Sequence, residues 1–95
     1  MININITLTT AKHGGMSTWR AKYQGNGIQL FSLAQAAPMD AIKSLCVQIK
    51  RTYNSNDFQV ILLPEGIDKL RVEAPAQRLI IEEWLKEYNS EMEDA

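Results

Sequence analysis

One cysteine, Cys46, and one histidine, His13, stand among 95 residues. A lone thiol excludes an internal disulfide and any multi-thiolate metal site, and it suits a reducing compartment. A lone imidazole with no nucleophile or second ligand paired to it reads as a polar turn residue, because triad and metal chemistry need several converging groups. Long apolar runs are also missing. The longest aliphatic stretch is Val60-Ile61-Leu62-Leu63, far short of the roughly 20 residues that cross a bilayer. No basic segment followed by an apolar one opens the chain, so no secretion signal is expected. These absences predict a soluble, cytoplasmic protein with no membrane partner.

Catalytic patterns are equally scarce. Gly14-Gly15 and Gly25-Asn26-Gly27 lack the strand-to-helix setting in which glycine-rich turns cradle phosphate, and they read as hairpin chemistry. Asp40, Asp57, Glu65 and Asp68 fall in expected loops or at element ends, and no spacing pairs two of them as acid and base. Cys46 lies on an apolar helical stripe, where a thiol packs instead of reacting. The chain therefore reads as a non-enzyme with no catalytic or metal residues and no cofactor.

What the chain does carry is periodicity. Ile2, Ile4, Ile6 and Leu8 alternate with Asn3, Asn5, Thr7 and Thr9, the period of a half-buried strand. After the Lys12-His13-Gly14-Gly15 turn, Trp19, Ala21 and Tyr23 alternate with Thr18, Arg20, Lys22 and Gln24 in a second strand whose outer face is polar and basic. Asn26-Gly27 suits a tight hairpin turn, and a third strand is expected over 28–33. Pro38 fits a first helical turn, and Ile42, Leu45, Cys46, Ile49 and Tyr53 form one buried stripe. Asn54 to Asp57 is a stop signal, Phe58 to Leu63 a buried strand ended by Pro64, and Leu70 to Glu73 a brief fifth strand. Pro75 opens a last helix with an apolar face of Ile80, Ile81, Trp84, Leu85 and Tyr88, and Glu82 is placed to pair with Lys86. The expected fold class is α+β, an antiparallel sheet of four or five strands with two helices on one face. Residues 1–89 form the single domain and 90–95 an acidic tail that frays.

Charge is sorted along the chain. Residues 1–81 hold nine Lys/Arg against five Asp/Glu, net +4, and residues 82–95 hold one Lys against six acids, net −5. On the basic side, Arg20, Lys22, Lys43, Lys50 and Arg51 are candidates to neutralise phosphates, with Tyr23 or Phe31 available for stacking on a base. On the acidic side, Glu82, Glu83, Glu87 and Glu91, with Glu93 and Asp94 beyond them, form a ridge for a basic protein partner. The opposed signs can equally attract another copy of the chain, giving a homodimer.

Two partial resemblances involve these residues. Ala41-Ile42, Leu45, Arg51, the strand ending at Leu63, Leu70-Arg71-Val72 and Gln77-Arg78 to Glu87 make residues 41–95 resemble the DinI family of recombinase modulators. That likeness implies helix, two strands and an acidic last helix that engages a RecA filament, and it nominates Glu82, Glu83, Glu87 and Glu91. Over residues 2–53, Trp19-Arg20-Ala21 followed by Pro38-Met39-Asp40-Ala41-Ile42 is similar to HicB-like antitoxin domains, whose strands and first helix resemble double-stranded RNA-binding domains. The expectation is a small interaction or regulatory protein of phage or bacterial accessory type that binds a protein through its acidic last helix. The alternative is a nucleic-acid-binding module on the basic strand and helix face, or a HicB-like antitoxin.

Overall fold

Strict alternation of β-branched and polar residues makes the sheet. In the computed structural model, which describes residues 2–54 and 57–94, strands β1 (Ile2–His13), β2 (Met16–Gly25), β3 (Ile28–Phe31) and β4 (Phe58–Leu62) lie in the order β3-β2-β1-β4. Helix α1 (Pro38–Tyr53) follows β3, and α2 (Pro64–Glu73) and α3 (Pro75–Asp94) follow β4. The class is α+β. Within it the sheet is mixed: β1 pairs β2 antiparallel but β4 parallel, with Ile4 opposite Val60 and Ile6 opposite Leu62. The expectation of a purely antiparallel sheet is corrected by α1. This helix carries the chain back along the sheet after β3, so that β4 starts from the same end as β1.

Period two gives the sheet two unlike faces. Ile4, Ile6, Leu8, Trp19, Ala21, Tyr23, Phe58, Val60 and Leu62 are buried on one of them. The residues between them, including Asn3, Asn5, Thr9 and Arg20, are exposed on the other. Asn26 (φ 52°) and Gly27 (φ 75°) supply the positive φ at both central positions that a tight hairpin between twisted strands requires.

The third strand stops at Phe31, two residues before the expected end, because Ser32 turns its hydroxyl into the ladder. The Ala21 amide donates to Ser32 Oγ at 2.9 Å, Ser32 Oγ donates to the Leu33 carbonyl at 3.0 Å, and the Ser32 amide donates to the Ala21 carbonyl at 2.9 Å. Pairing resumes at Gln35 opposite Trp19, so Leu33 and Ala34 together oppose Arg20 in a bulge.

The described residues form three helices where two were expected. Residues 64–73 are helical, so the loop at Glu65-Gly66 and the short strand at Leu70–Glu73 are corrected to a single helix. Pro64 both ends β4 and opens α2, since a first-turn residue has no use for its amide hydrogen. Gly66 and Leu70, four residues apart, turn one helical side inward and are buried. A Cβ at Gly66 would come within 2.7 Å of Leu62 Cδ1, so the glycine lets α2 lie close against the sheet. The pairs Lys69–Glu73 (3.3 Å) and Arg71–Asp68 (3.1 Å) lie along its exposed side.

Helix α1 buries Ala41, Ile42, Leu45, Cys46 and Ile49 against β2 and β3, and α3 buries Ile81 and Leu85 on the β4 side. Full burial of each Leu or Ile contributes roughly 1.5–3 kcal/mol. The backbone of α3 is helical through Asp94, five residues beyond Asn89, where the sequence ended the packed helix. Asn89 itself covers the free edge of the sheet: its Oδ1 accepts the Val60 amide at 2.8 Å and its Nδ2 donates to the Val60 carbonyl at 2.9 Å. The side chain thus imitates a neighbouring strand at an edge that would otherwise be open to pairing. No helix of the described residues is long and apolar enough to cross a membrane.

Candidate functional site

Prolines at the first positions of α1 and α3 start two helices that lie side by side on the covered face of the sheet. They run in the same direction. Lys43 lies beside Trp84, its Nζ 5.5 Å from the ring centroid, and one turn further on the Cys46 thiol is hydrogen-bonded to Tyr88. Between the helices runs a groove of about 520 Å³ lined by Met39, Lys43, Leu79, Ile80, Glu83, Trp84 and Glu87. Leu79 is 62% exposed and Ile80 55% exposed, although both are aliphatic and adjacent to the half-buried Trp84. Trp84 is held by stacking on Tyr88, with centroids 4.9 Å apart, and Tyr88 in turn packs against Phe58 of the core at 6.3 Å. The groove floor is therefore an aromatic surface packed onto the core.

Beneath this floor the titratable groups are neutral. Burial pushes the Cys46 thiol up to about 12, partly offset by its bond to Tyr88. Burial, followed by the neighbouring Cys46 and Glu91, pushes the Tyr88 phenol up to about 12 as well. Such a thiol is inert as a nucleophile at neutral pH. The side chain of His13 lies outside the described residues.

The four acidic residues singled out in the sequence separate into two groups. Glu83 and Glu87 line the groove, and Glu91 is exposed one turn further along α3. Glu82 leaves the ridge. It is half-buried and bonded to Arg78 at 3.4 Å, and this bond stands where a Glu82–Lys86 pair was expected. The side chains of Glu93 and Asp94 lie outside the described residues.

The basic residues separate more widely. Lys43, Lys50 and Arg51 are exposed on the side of α1 away from the sheet, whereas Arg20 and Lys22 stand on the open face of the sheet itself. The two groups are on opposite sides of the molecule and form no single basic surface. Lys22 Nζ lies 5.6 Å over the ring of Phe31, which is 46% exposed, and Arg20 borders a hollow of about 270 Å³ with Thr9, Thr10, Ala11, Thr18 and Ala34. A second hollow, about 360 Å³, holds Lys22 with Asn5, Thr7, Gln24 and Glu65.

Two signals in the sequence bear on these surfaces. Leu79-Ile80-Ile81 are consecutive, and three successive helical positions span about 200° of the circumference, more than one stripe can bury. Ile81 is fully buried, which leaves Leu79 and Ile80 outside. The other is that no Asp or Glu precedes Asp40, so the three N-terminal strands bring no carboxylate to the open face. Comparison of the chain with family models, with curated proteins and with solved structures returned no match.

Proposed function

We propose that this chain is a non-enzymatic interaction protein that binds a protein partner through α3 and the groove beside α1, with the cytoplasm as its setting. The observation that supports this reading most is the pair Leu79 and Ile80, exposed beside an anchored Trp84 and next to Glu83 and Glu87. Covering these two side chains would yield roughly 1–2 kcal/mol each. Carboxylates beside an apolar floor select a partner surface that is apolar and basic, and charge complementarity there sets orientation and on-rate. The resemblance of residues 41–95 to the DinI family nominates the same helix, while the second strand of that pattern is replaced here by α2.

A helical peptide bearing leucines and lysines on one face tests the reading by calorimetry. Wild type should bind it, and Glu83→Lys with Glu87→Lys should abolish binding; equal binding by both proteins rules the reading out. Removing residues 89–95 is a poorer test, because it also removes the Asn89 bonds to Val60.

The open sheet face supports a second reading, binding of a nucleic-acid strand, on the specific ground that Arg20, Lys22 and Phe31 share a face to which the first three strands contribute no carboxylate. Two phosphate contacts would make log K fall with log salt at a slope of about −1.4 for a single strand. A flat salt response, or one unchanged by Arg20→Ala with Lys22→Ala, removes it.

A further inference from the structure

We infer that the occupant of the α1–α3 groove is a second copy of the chain, docked about a two-fold axis that runs along the two helices. This rests on reading the groove as a protein interface, and it names the partner.

The first ground is that the face carries both signs in separate stripes. On α1 the exposed charges are Lys43, Lys50 and Arg51 with one acid, Asp40, in the first turn, and on α3 they are Glu83, Glu87 and Glu91 with one base, Lys86; neither Asp40 nor Lys86 lines the groove. Among the described residues none of Lys50, Arg51, Glu83 or Glu87 forms an ion pair, and the three ion pairs present lie within α2 or within α3. An unrelated basic partner would satisfy the glutamates but would meet Lys43, Lys50 and Arg51 beside them. A second copy satisfies both stripes.

The second ground is direction. The helices are parallel and level, with Lys43 beside Trp84 and Cys46 beside Tyr88, so Lys50 is level with Glu91. A two-fold axis along the helices keeps every residue at its own height and exchanges left for right. It lays α1 of one copy over α3 of the other, with Lys43 facing the Glu83–Glu87 turn and Lys50 facing Glu91, twice over by symmetry. The apolar residues between the stripes, Met39, Ile80 and Trp84, then meet their counterparts. An axis across the helices would instead set α1 on α1 and α3 on α3, with like charges opposed. A formal net charge of −1 leaves little long-range repulsion between copies.

Sedimentation equilibrium tests this at about 100 µM chain, a concentration that saturates a micromolar self-association. Wild type should sediment at twice the 10.8 kDa of the chain. Lys43→Glu with Lys50→Glu makes both stripes acidic, and Glu83→Lys with Glu87→Lys makes both basic, so each double variant should sediment as a single chain. Mixed in equal amounts, the two should recover the doubled mass, and one chain carrying all four changes should recover it alone. Circular dichroism melts of each variant report folding separately. A wild type at the mass of one chain, or a folded mixture that stays there, overturns the inference. A monomeric wild type that binds the leucine–lysine peptide through Glu83 and Glu87 overturns self-docking alone, and one that binds neither overturns the interface reading as well.

Discussion

The open face of the sheet and the outer face of the helices are both solvated, yet they leave different things unmatched. On the sheet, Asn3, Asn5, Thr7 and Thr9 present short neutral side chains that water satisfies, and the exposed apolar residues of the strands on this face are dispersed: Phe31 and Ile61 sit on β3 and β4 at opposite edges, and Met16 lies six residues along β2 from Lys22, the partner of Phe31. With strands about 4.8 Å apart, roughly 14 Å separates those two edges, too far for one patch. On the helices, Leu79, Ile80, Met39 and Trp84 line one groove and are flanked by Glu83 and Glu87, which form no ion pair among the described residues, and by Lys43, whose ammonium rests over the Trp84 ring. Exposure alone does not mark an interface. Contiguous apolar surface beside uncompensated charge does.

The change expected to have the largest effect strikes what the two faces share. Ile42 is fully buried under α1, and Ile42→Ala should cost about 2–5 kcal/mol in urea denaturation, loosening sheet and helices together. Next come the polar fasteners, one on each side of the comparison. Ser32→Ala strips the Ala21 amide of its acceptor at the bulge, and Asn89→Ala strips Val60 of two bonds at the sheet edge. Each should cost about 1–3 kcal/mol, read from the same denaturation midpoints.

A pH-dependent effect, as large as those of the fasteners only at strongly alkaline pH, belongs to the helical side. The Cys46 thiol titrates near 12 in the folded protein against an ordinary 9.0. Its folded value is raised, so its contribution is complete below pH 9 and is lost as pH climbs through the window from 9 to 12, where the unfolded thiol ionises first. Stability should fall over that window by up to about 1.4 kcal/mol per pH unit from this group. Cys46→Val should flatten the alkaline limb, and an unaltered limb would show that the thiol does not titrate as described.

The smallest stability effects separate the two faces most sharply. Thr9→Ala on the sheet and Leu79→Ala on α3 should each stay within about 0.5 kcal/mol of wild type. Only Leu79→Ala should weaken association, as measured by dilution isotherms. Equal effects on association would erase the distinction between the faces.

Where the signal was local, sequence reasoning reached the structure. Pro38 and the i, i+3, i+4, i+7 spacing of Ile42, Leu45, Cys46 and Ile49 mark α1 to its final residue, and Asn26-Gly27 marks the β2–β3 turn. Non-local pairing was not legible. Nothing in Phe58–Leu62 announces that it joins β1 in parallel, because that partnership depends on where α1 delivers the chain. Pro64 was ambiguous, since one residue both ends a strand and begins a helix, and α2 was missed on that account. At the groove, Glu83 and Glu87 were legible from charge, whereas Ile80 was read into the apolar face with Ile81, Trp84, Leu85 and Tyr88 and is exposed, and Leu79, outside that face, drew no notice. Glu82 was lost from the ridge to Arg78, because which neighbour a glutamate chooses depends on how its helix packs.

Directed cross-linking tests the central claim most closely. Cys46 is buried, so cysteines placed by Lys43→Cys in one chain and Glu87→Cys in another are the only accessible thiols expected. A disulfide-linked dimer is expected when the two variants are mixed under mild oxidation, and little from either variant alone. Cross-linking of Lys43→Cys to itself, or none in the mixture, would contradict it.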